Sequence, residues 1–257
     1  MITEHFTLLS DCHTEFWDGY DVLDPGTGDV LILAGDIGMV CLLHTVEGAP
    51  YERFLDKCSQ GYNKVFYVLG NHEYYGSDFS TTADRLREYT ARYDNVTVLD
   101  NNSEHYNGVH YVGGTMWANF DNMNAMVMSD CGFYMNDYHQ ITNSSVPLTP
   151  MDTLMEHKHT TEWFDRCLNS LKGPVVIITH HAPSVNSLDS HYVGSDVSGA
   201  YYTDMTQLIK KYDNITHWVH GHIHANNNYY IGECNVLSNP YGYHSDALNK
   251  HFIPSVV

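Results

Sequence analysis

Five short segments of the chain carry side chains able to hold a cation or move a proton: Asp11-Cys12-His13, Gly35-Asp36, Gly70-Asn71-His72-Glu73, His180-His181 and Gly221-His222-Ile223-His224. Imidazoles and carboxylates serve both purposes, as metal ligands and as acid–base groups. Taken singly each segment is a weak signal, because Asp-x-His and His-x-His arise often by chance. Their placement makes them stronger. In an extended segment residues two apart point the same way, so Asp11 with His13, and His222 with His224, each present two donors to one side. Cys12 and Ile223 then turn away into packing. The adjoining glycines let the backbone pass close to an ion or a phosphate with no Cβ in the way.

Such groups need rigid supports, and each segment follows a short apolar run that reads as a buried strand. The runs cover residues 5–9, 30–34, 65–69, 175–179 and 218–220, with a further one at 109–112. In α/β sheets ligands bind outside the carboxyl ends of strands, so five such loops can converge on one crevice. Between the runs lie helical patterns. Pro50 opens one with Tyr51, Phe54, Leu55 and Cys58 inward and Gly61 to end it. Residues 80–93 repeat the pattern with Ala83, Leu86, Tyr89 and Tyr93. Thr149 caps a third, with Pro150 at its first position and Leu154, Phe164, Leu168 and Leu171 inward, stopping at Gly173-Pro174. A fourth runs from Thr203 with Met205, Leu208, Ile209 and Tyr212 on one face. Strands alternating with helices give an α/β class. Residues 95–138 read as hairpins and loops, so a purely parallel sheet is not expected. The candidate site draws on both ends of the chain, which predicts a single domain over residues 1–257.

The composition narrows the partners. The 257 residues carry 31 acidic against 12 basic side chains, a formal charge of −19, which argues against wrapping a long nucleic acid. No apolar run approaches the length needed to cross a bilayer, and the first 12 residues lack a signal-peptide pattern. Six scattered cysteines without a Cys-x-x-Cys pair read as reduced thiols, hence a cytoplasmic protein. Histidine is the anomaly: the 18 histidines outnumber Lys and Arg together.

Asp-x-His, Gly-Asp, Gly-Asn-His-Glu, His and Gly-His-x-His occur here in that order from Asp11 to His224, and in this the sequence resembles the calcineurin-like metallophosphoesterase superfamily. Within it the chain resembles bacterial and phage-type members, through Thr179-His180-His181-Ala182-Pro183-Ser184 and a closing Asn239-Pro240-Tyr241-Gly242-Tyr243. Many relatives have Arg where Tyr241 stands, which removes one basic phosphate contact. The resemblance implies a four-layer α/β/β/α sandwich with two mixed β-sheets and two divalent metal ions between the loops. Asp11, His13 and His224 would hold one ion, Asn71, His180 and His222 the other, and Asp36 would bridge them. Donors without thiolates suit Mn, Fe, Zn, Co or Ni, with Mn favoured. Two divalent ions outweigh two aspartates, so the pocket attracts phosphate despite the acidic chain, and metals lower the pKa of bound water towards neutrality. The resemblance casts His72 as the group that protonates the leaving oxygen, and Asn71 and His72 as substrate contacts.

Other readings give way. His72-Glu73 does not begin a zinc-protease helix motif, because Gly76 stands where a second histidine is required. His157 and His159 fall two apart in a helix, on different faces, and are expected to be solvent-exposed rather than a metal pair. Gly26-Thr27-Gly28 lacks a third glycine at dinucleotide spacing. His44, His105, His110, His139 and His217 are given no role, whereas His181 and His220 adjoin the site as supporting donors. Tyr74-Tyr75 and Tyr201-Tyr202 are candidates to stack on a nucleobase. Protein dephosphorylation is disfavoured: Gly35-Asp36-Ile37-Gly38 lacks the second aspartate and the arginine of that branch, and with them the usual partner of the catalytic histidine. A DNA nuclease is disfavoured by the acidic surface. The leading expectation is hydrolysis of a small phosphodiester, a cyclic nucleotide among the candidates. A phosphomonoesterase or nucleotidase is the alternative enzyme, and a non-catalytic metal-dependent binding scaffold the alternative of another class.

Overall fold

Runs such as Val-Leu-Ile-Leu-Ala at 30–34 and Val-Val-Ile-Ile at 175–178 are stable only where both faces of a strand are covered, which is the signature of parallel pairing beneath helices. The computed structural model describes residues 5–17, 23–243 and 255–256; the first four of the 12 residues read above for a signal-peptide pattern lie outside them. The chain begins with β1 (Phe6–Leu9), β2 (Gly28–Ala34), α1 (Ala49–Gly61), β3 (Tyr62–Val68), α2 (Thr82–Thr90) and β4 (Val96–Leu99). A hairpin follows, β5 (Asn102–Tyr106) and β6 (Val109–Gly114), then α3 (Phe120–Met123), α4 (Ala125–Tyr134), α5 (Asp137–Gln140) and the two-residue strands β7 (Thr142–Asn143) and β8 (Val146–Pro147). The remainder is α6 (Pro150–Leu168), β9 (Val175–Thr179), α7 (Thr206–Lys211), β10 (Ile215–His220), β11 (Asn227–Ile231), β12 (Cys234–Ser238) and β13 (Ser255–Val256).

Apart from the two-stranded β7–β8 pair, the strands form two mixed sheets, in the orders β13-β1-β2-β3-β4 and β11-β12-β10-β9-β6-β5. In the first, β1 to β4 are parallel and β13 joins antiparallel; in the second, β12, β10, β9 and β6 are parallel and the outer strands β11 and β5 antiparallel. This mixed α/β architecture agrees with the expected fold class. Period-two alternation sorts the side chains. Phe6, Leu8, Val30, Ile32, Phe66 and Val68 meet Tyr111, Val176, Ile178 and Val219 in one apolar cluster between the sheets. The opposite face of the first sheet packs Leu31, Leu33 and Val65 with Tyr51, Phe54 and Leu55 of α1 and Leu86 of α2. The opposite face of the second packs Val175, Ile177 and Trp218 with Phe164 and Leu168 of α6 and Ile209 of α7.

The third predicted helix starts as expected, with a capping box: Asp152 N donates to Thr149 Oγ1, and Thr149 N donates to the Asp152 carboxylate. It ends at Leu168, and the fourth predicted helix begins at Thr206 rather than Thr203. The middle of the chain corrects the sequence reading. The β5–β6 hairpin is there, but α4 is a ten-residue helix where loops were expected. Its sequence, AMVMSDCGFY, is apolar on every side, so no stripe at helical spacing betrays it. His157 is a second correction. It is buried at 5% exposure on the inner face of α6, donating Nδ1–H to Met116 O (3.0 Å), while His159 is exposed as expected. All six cysteines are unpaired, and no helix among the described residues is long and apolar enough to cross a membrane.

Candidate metal centre

The loops after β1, β2, β3, β9 and β10 all leave the carboxyl ends of parallel strands, so they gather along one edge of the paired sheets. The first two zip together beyond their strands: Asp11 N donates to Gly35 O, His13 N to Asp36 O and Thr14 N to Ile37 O, each at 2.9 Å. The segment after β12 joins them, with Tyr241 N donating to Ser10 O and Gly242 N to Asp11 O. Gly35 adopts φ +85°, and a Cβ there would lie 2.5 Å from His180 Nδ1; one on Gly70 would collide with Asp36 Oδ1. Those two glycines are what allow loops from different sheets to touch.

The donors do not converge through extended backbone, as the spacing argument supposed. Asp11, His13, Asp36 and His222 all have positive φ, at 53°, 47°, 54° and 64°. The left-handed conformation is costly for a residue with a side chain and persists where surrounding structure imposes it. Here the inter-loop hydrogen bonds impose it. Cys12 nevertheless turns into the core, as expected, and Ile223 is buried too.

All seven predicted ligand positions come together. Two clusters of mutually close donor atoms, Asp11 with His13 and His224, and Asp36 with His180 and His222, match the two expected sets; a third joins His13, Asp36 and His72. Asn71 Oδ1 lies 3.0 Å from His180 Nε2. Asp36 stands between the clusters, with Oδ1 3.4 Å from His180 Nε2 and Oδ2 3.8 Å from His13 Nε2. His13 Nε2 is 3.2 Å from His224 Nε2, which is 3.6 Å from Asp11 Oδ1. Donors around a single ion with bonds of about 2.1 Å sit roughly 3 to 3.5 Å apart, so the spacing fits. Two further facts support the fit. Asp11 Oδ2 and His222 Nε2 are buried with no hydrogen-bond partner, which native proteins rarely tolerate. His180 gives its Nδ1–H to Ala34 O (3.0 Å), which leaves Nε2 as the free donor atom, the usual arrangement of a ligating imidazole.

The electrostatics are those of a cation-seeking pocket. Burial works against ionised carboxylates, yet the surrounding histidines hold Asp11 below its ordinary range and Asp36 well below it. Reciprocally, His180 is pushed up to about 9: burial opposes its charge, and Asp36 and Asp11 outweigh burial. His72 also rises to about 9, against burial, through Asp36 and Glu15.

Three buried carboxylates support this region; Glu15 and Asp137 escaped the sequence reading, and Glu73 entered it only as part of the third motif. Glu15, in the short 3-10 turn after His13, takes a hydrogen bond from His72 Nδ1 at 2.7 Å and lies 3.3 Å from His13 Nδ1. His72 thus has a carboxylate partner although the loop at 35–38 lacks a second aspartate. Glu73 accepts from the backbone N–H of Asp36, Ile37, Gly38 and Gly70 and from Tyr67 Oη. It therefore fastens the second loop to the third, and burial with Asp36 nearby pushes it up to about 7. Asp137 accepts from Asn71 Nδ2 (2.8 Å) and Tyr75 Oη (2.7 Å).

Of the other expected residues, His181 packs 4.4 Å from the His222 ring, and His220 is satisfied by Ser187 Oγ and Gly221 O. Tyr74 and Tyr75 are buried, and Tyr75 stacks on His72 with centroids 4.3 Å apart, so that ring face is already covered. Tyr201 stacks on His222 at 4.7 Å. Tyr243, which the sequence reading noted only as part of the closing motif, stacks on His13 at 4.3 Å and places its hydroxyl 3.3 Å from His72 Nε2.

The family model described as calcineurin-like phosphoesterase matches residues 5–226. "Uncharacterized protein L509" of Acanthamoeba polyphaga mimivirus is 28% identical over 274 aligned residues, covering 94% of this chain and 92% of that protein. The crystal structure of the phosphopantetheinyl hydrolase PptH from Mycobacterium tuberculosis superposes with a TM-score of 0.68 at 16% identity, covering 98% of this chain and 94% of that one. At that identity the likeness is one of fold.

Proposed function

The chain belongs to the calcineurin-like phosphoesterase family, and from that membership we propose that it hydrolyses a small phosphodiester with the help of two divalent cations. Asp11, His13 and His224 would hold one cation and Asn71, His180 and His222 the other, with Asp36 placed to serve both. The observation that carries this reading is the pair of orphaned buried atoms, Asp11 Oδ2 and His222 Nε2, one in each cluster. When bound, the cations supply Lewis acidity towards the phosphoryl oxygens and an activated water as nucleophile. Mn²⁺ is the first cation to test.

The protein's own part is orientation and proton delivery. Glu15 holds His72 through Nδ1 and stabilises its protonated form, so that Nε2 presents a proton to the leaving oxygen. Tyr75 backs the imidazole by stacking, and the Tyr243 hydroxyl lies 3.3 Å from its Nε2. His72 is the substrate contact, whereas the Asn71 amide hydrogens, expected to face the substrate as well, are engaged by Asp137 and Tyr75.

A diester is favoured over a monoester by charge. None of the loops at 10–17, 35–43, 70–76, 180–187, 221–225 and 239–243 contains Lys or Arg, while Glu15 and Asp137 add buried carboxylates behind His72 and Asn71. A phosphate monoester takes up a second negative charge above a pKa of about 6, and a diester keeps one. A pocket whose loops carry neither Lys nor Arg suits the monoanion. The acidic chain also favours a small substrate over a long nucleic acid, and unpaired thiols suit a cytoplasmic setting.

Chelator-stripped protein reloaded with Mn²⁺ and assayed on bis(p-nitrophenyl) phosphate, p-nitrophenyl phosphate and a 2′,3′-cyclic nucleotide tests the reading. Hydrolysis of the diesters in preference to the monoester is expected. Preference for the monoester would indicate a phosphomonoesterase or nucleotidase, and turnover of none, with Mn²⁺ bound, a binding scaffold.

A further inference from the structure

Asp137 opens α5 and is 2% exposed, yet the two groups that satisfy its Oδ1 are neutral, the Asn71 amide and the Tyr75 hydroxyl. Burying a carboxylate against neutral donors is unfavourable unless it does something an uncharged residue could not. The hydrogen-bond arithmetic of Asn71 shows what that is. Its amide nitrogen has two hydrogens: one meets Asp137 Oδ1 at 2.8 Å, the other Tyr75 Oη at 3.2 Å. Tyr75 has one proton and gives it to Asp137 at 2.7 Å, so towards Asn71 it offers only a lone pair. Both hydrogens are thus engaged on the side away from the metal centre, and Oδ1 faces His180 Nε2.

A primary amide can turn over with little change of shape. Turned over, Asn71 would set its oxygen against the Asp137 carboxylate and its NH₂ towards the cation. An ionised carboxylate only accepts, so it penalises that state; an amide at 137 would accept either orientation. A hydrogen-bonded carboxylate behind the amide also polarises it, raising the electron density on Oδ1.

We propose that Asp137, assisted by Tyr75, is a positioning residue that locks Asn71 with its carbonyl oxygen towards the metal centre. The inference rests on the functional reading above, in which Asn71 is a ligand. The test uses the full chain, stripped of metal and titrated with Mn²⁺ alone, with free Mn²⁺ followed by electron paramagnetic resonance and bound Mn²⁺ counted by elemental analysis. Asn71→Ala identifies the site to which Asn71 contributes. Asp137→Asn is expected to weaken that same site by about 10- to 100-fold and to spare the other. In the Asn71→Ala background it should change nothing further, an outcome a merely structural role would not give. If Asp137→Asn fails to fold by circular dichroism, Tyr75→Phe replaces it, with a smaller loss confined to the same site and likewise absent without Asn71. Mn²⁺ affinities within about threefold of the unmutated chain, or equal losses with and without Asn71, overturn the proposal alone. An unmutated chain that takes up no Mn²⁺ overturns the functional reading and this inference together.

Discussion

Glu15 hydrogen-bonds His72 through Nδ1, which commits the opposite nitrogen to face the centre. Replacing His72 with Ala should therefore leave Mn²⁺ content intact while lowering diester turnover roughly 10²- to 10⁴-fold, the range for lost general acid catalysis. Glu15→Gln keeps the imidazole but removes the anion that orients it, and should cost about tenfold in kcat with little change in KM. Steady-state kinetics beside metal analysis checks both, and full turnover by His72→Ala would remove the acid role. The proposed ligands were legible in the sequence because each stands beside a glycine or sharp turn at the end of an apolar run. Glu15, Asp137 and Tyr243 were not. Asp137 lies 66 residues from the amide it meets, and Tyr243 is 171 residues from His72. Such partners share no local pattern, and only the folded chain brings them together.

Among the elements, α6 shows how far periodicity reaches. Thr149, Pro150 and the inward apolar residues announced the helix, and the same period puts His157 between Leu154 and Phe164 on the buried side. Residues two apart on a helix cannot share an ion, as argued from sequence, but one of the pair faces inward. Burial pulls His157 from 6.5 down to about 4, so the folded chain keeps it neutral where the unfolded chain takes a proton. Its contribution is complete above pH 6.5 and is lost as the pH falls towards 4. In urea melts with EDTA present, His157→Gln should flatten the decline of stability across that window by up to about 1.4 kcal/mol per pH unit. A slope equal to that of the unmutated protein would show that His157 does not titrate on unfolding. α4 illustrates the opposite limit. With apolar residues on every side, its ten residues carry no stripe, and only Asn124, whose side chain accepts from Met126 N, marks its start.

For the molecule as a whole, a charge of −19 surrounds a pocket built for cations and an anionic ester. Approach of the ester is opposed by the long-range field, which salt screens over about 10 Å at 0.1 M. Raising NaCl from low to physiological concentration should increase kcat/KM for a diester by a few-fold; a fall would mean that local attraction, not the global charge, governs the encounter. The buried runs foretold most of the parallel strands and the α/β class, the division into two mixed sheets came only with the family resemblance, and the β11–β12 hairpin and β13 were not foretold, since neither has a long apolar run. The centre also joins loops from opposite ends of the chain: His13 and His224 are 211 residues apart and 3.2 Å from nitrogen to nitrogen. During synthesis the first loop must wait, half a cage, until the 211 residues that separate it from His224 have emerged. An ion held there, as proposed, would act as a clasp between two loops distant along the chain, so that demetallation would loosen the whole ring of chain between them rather than one corner of it.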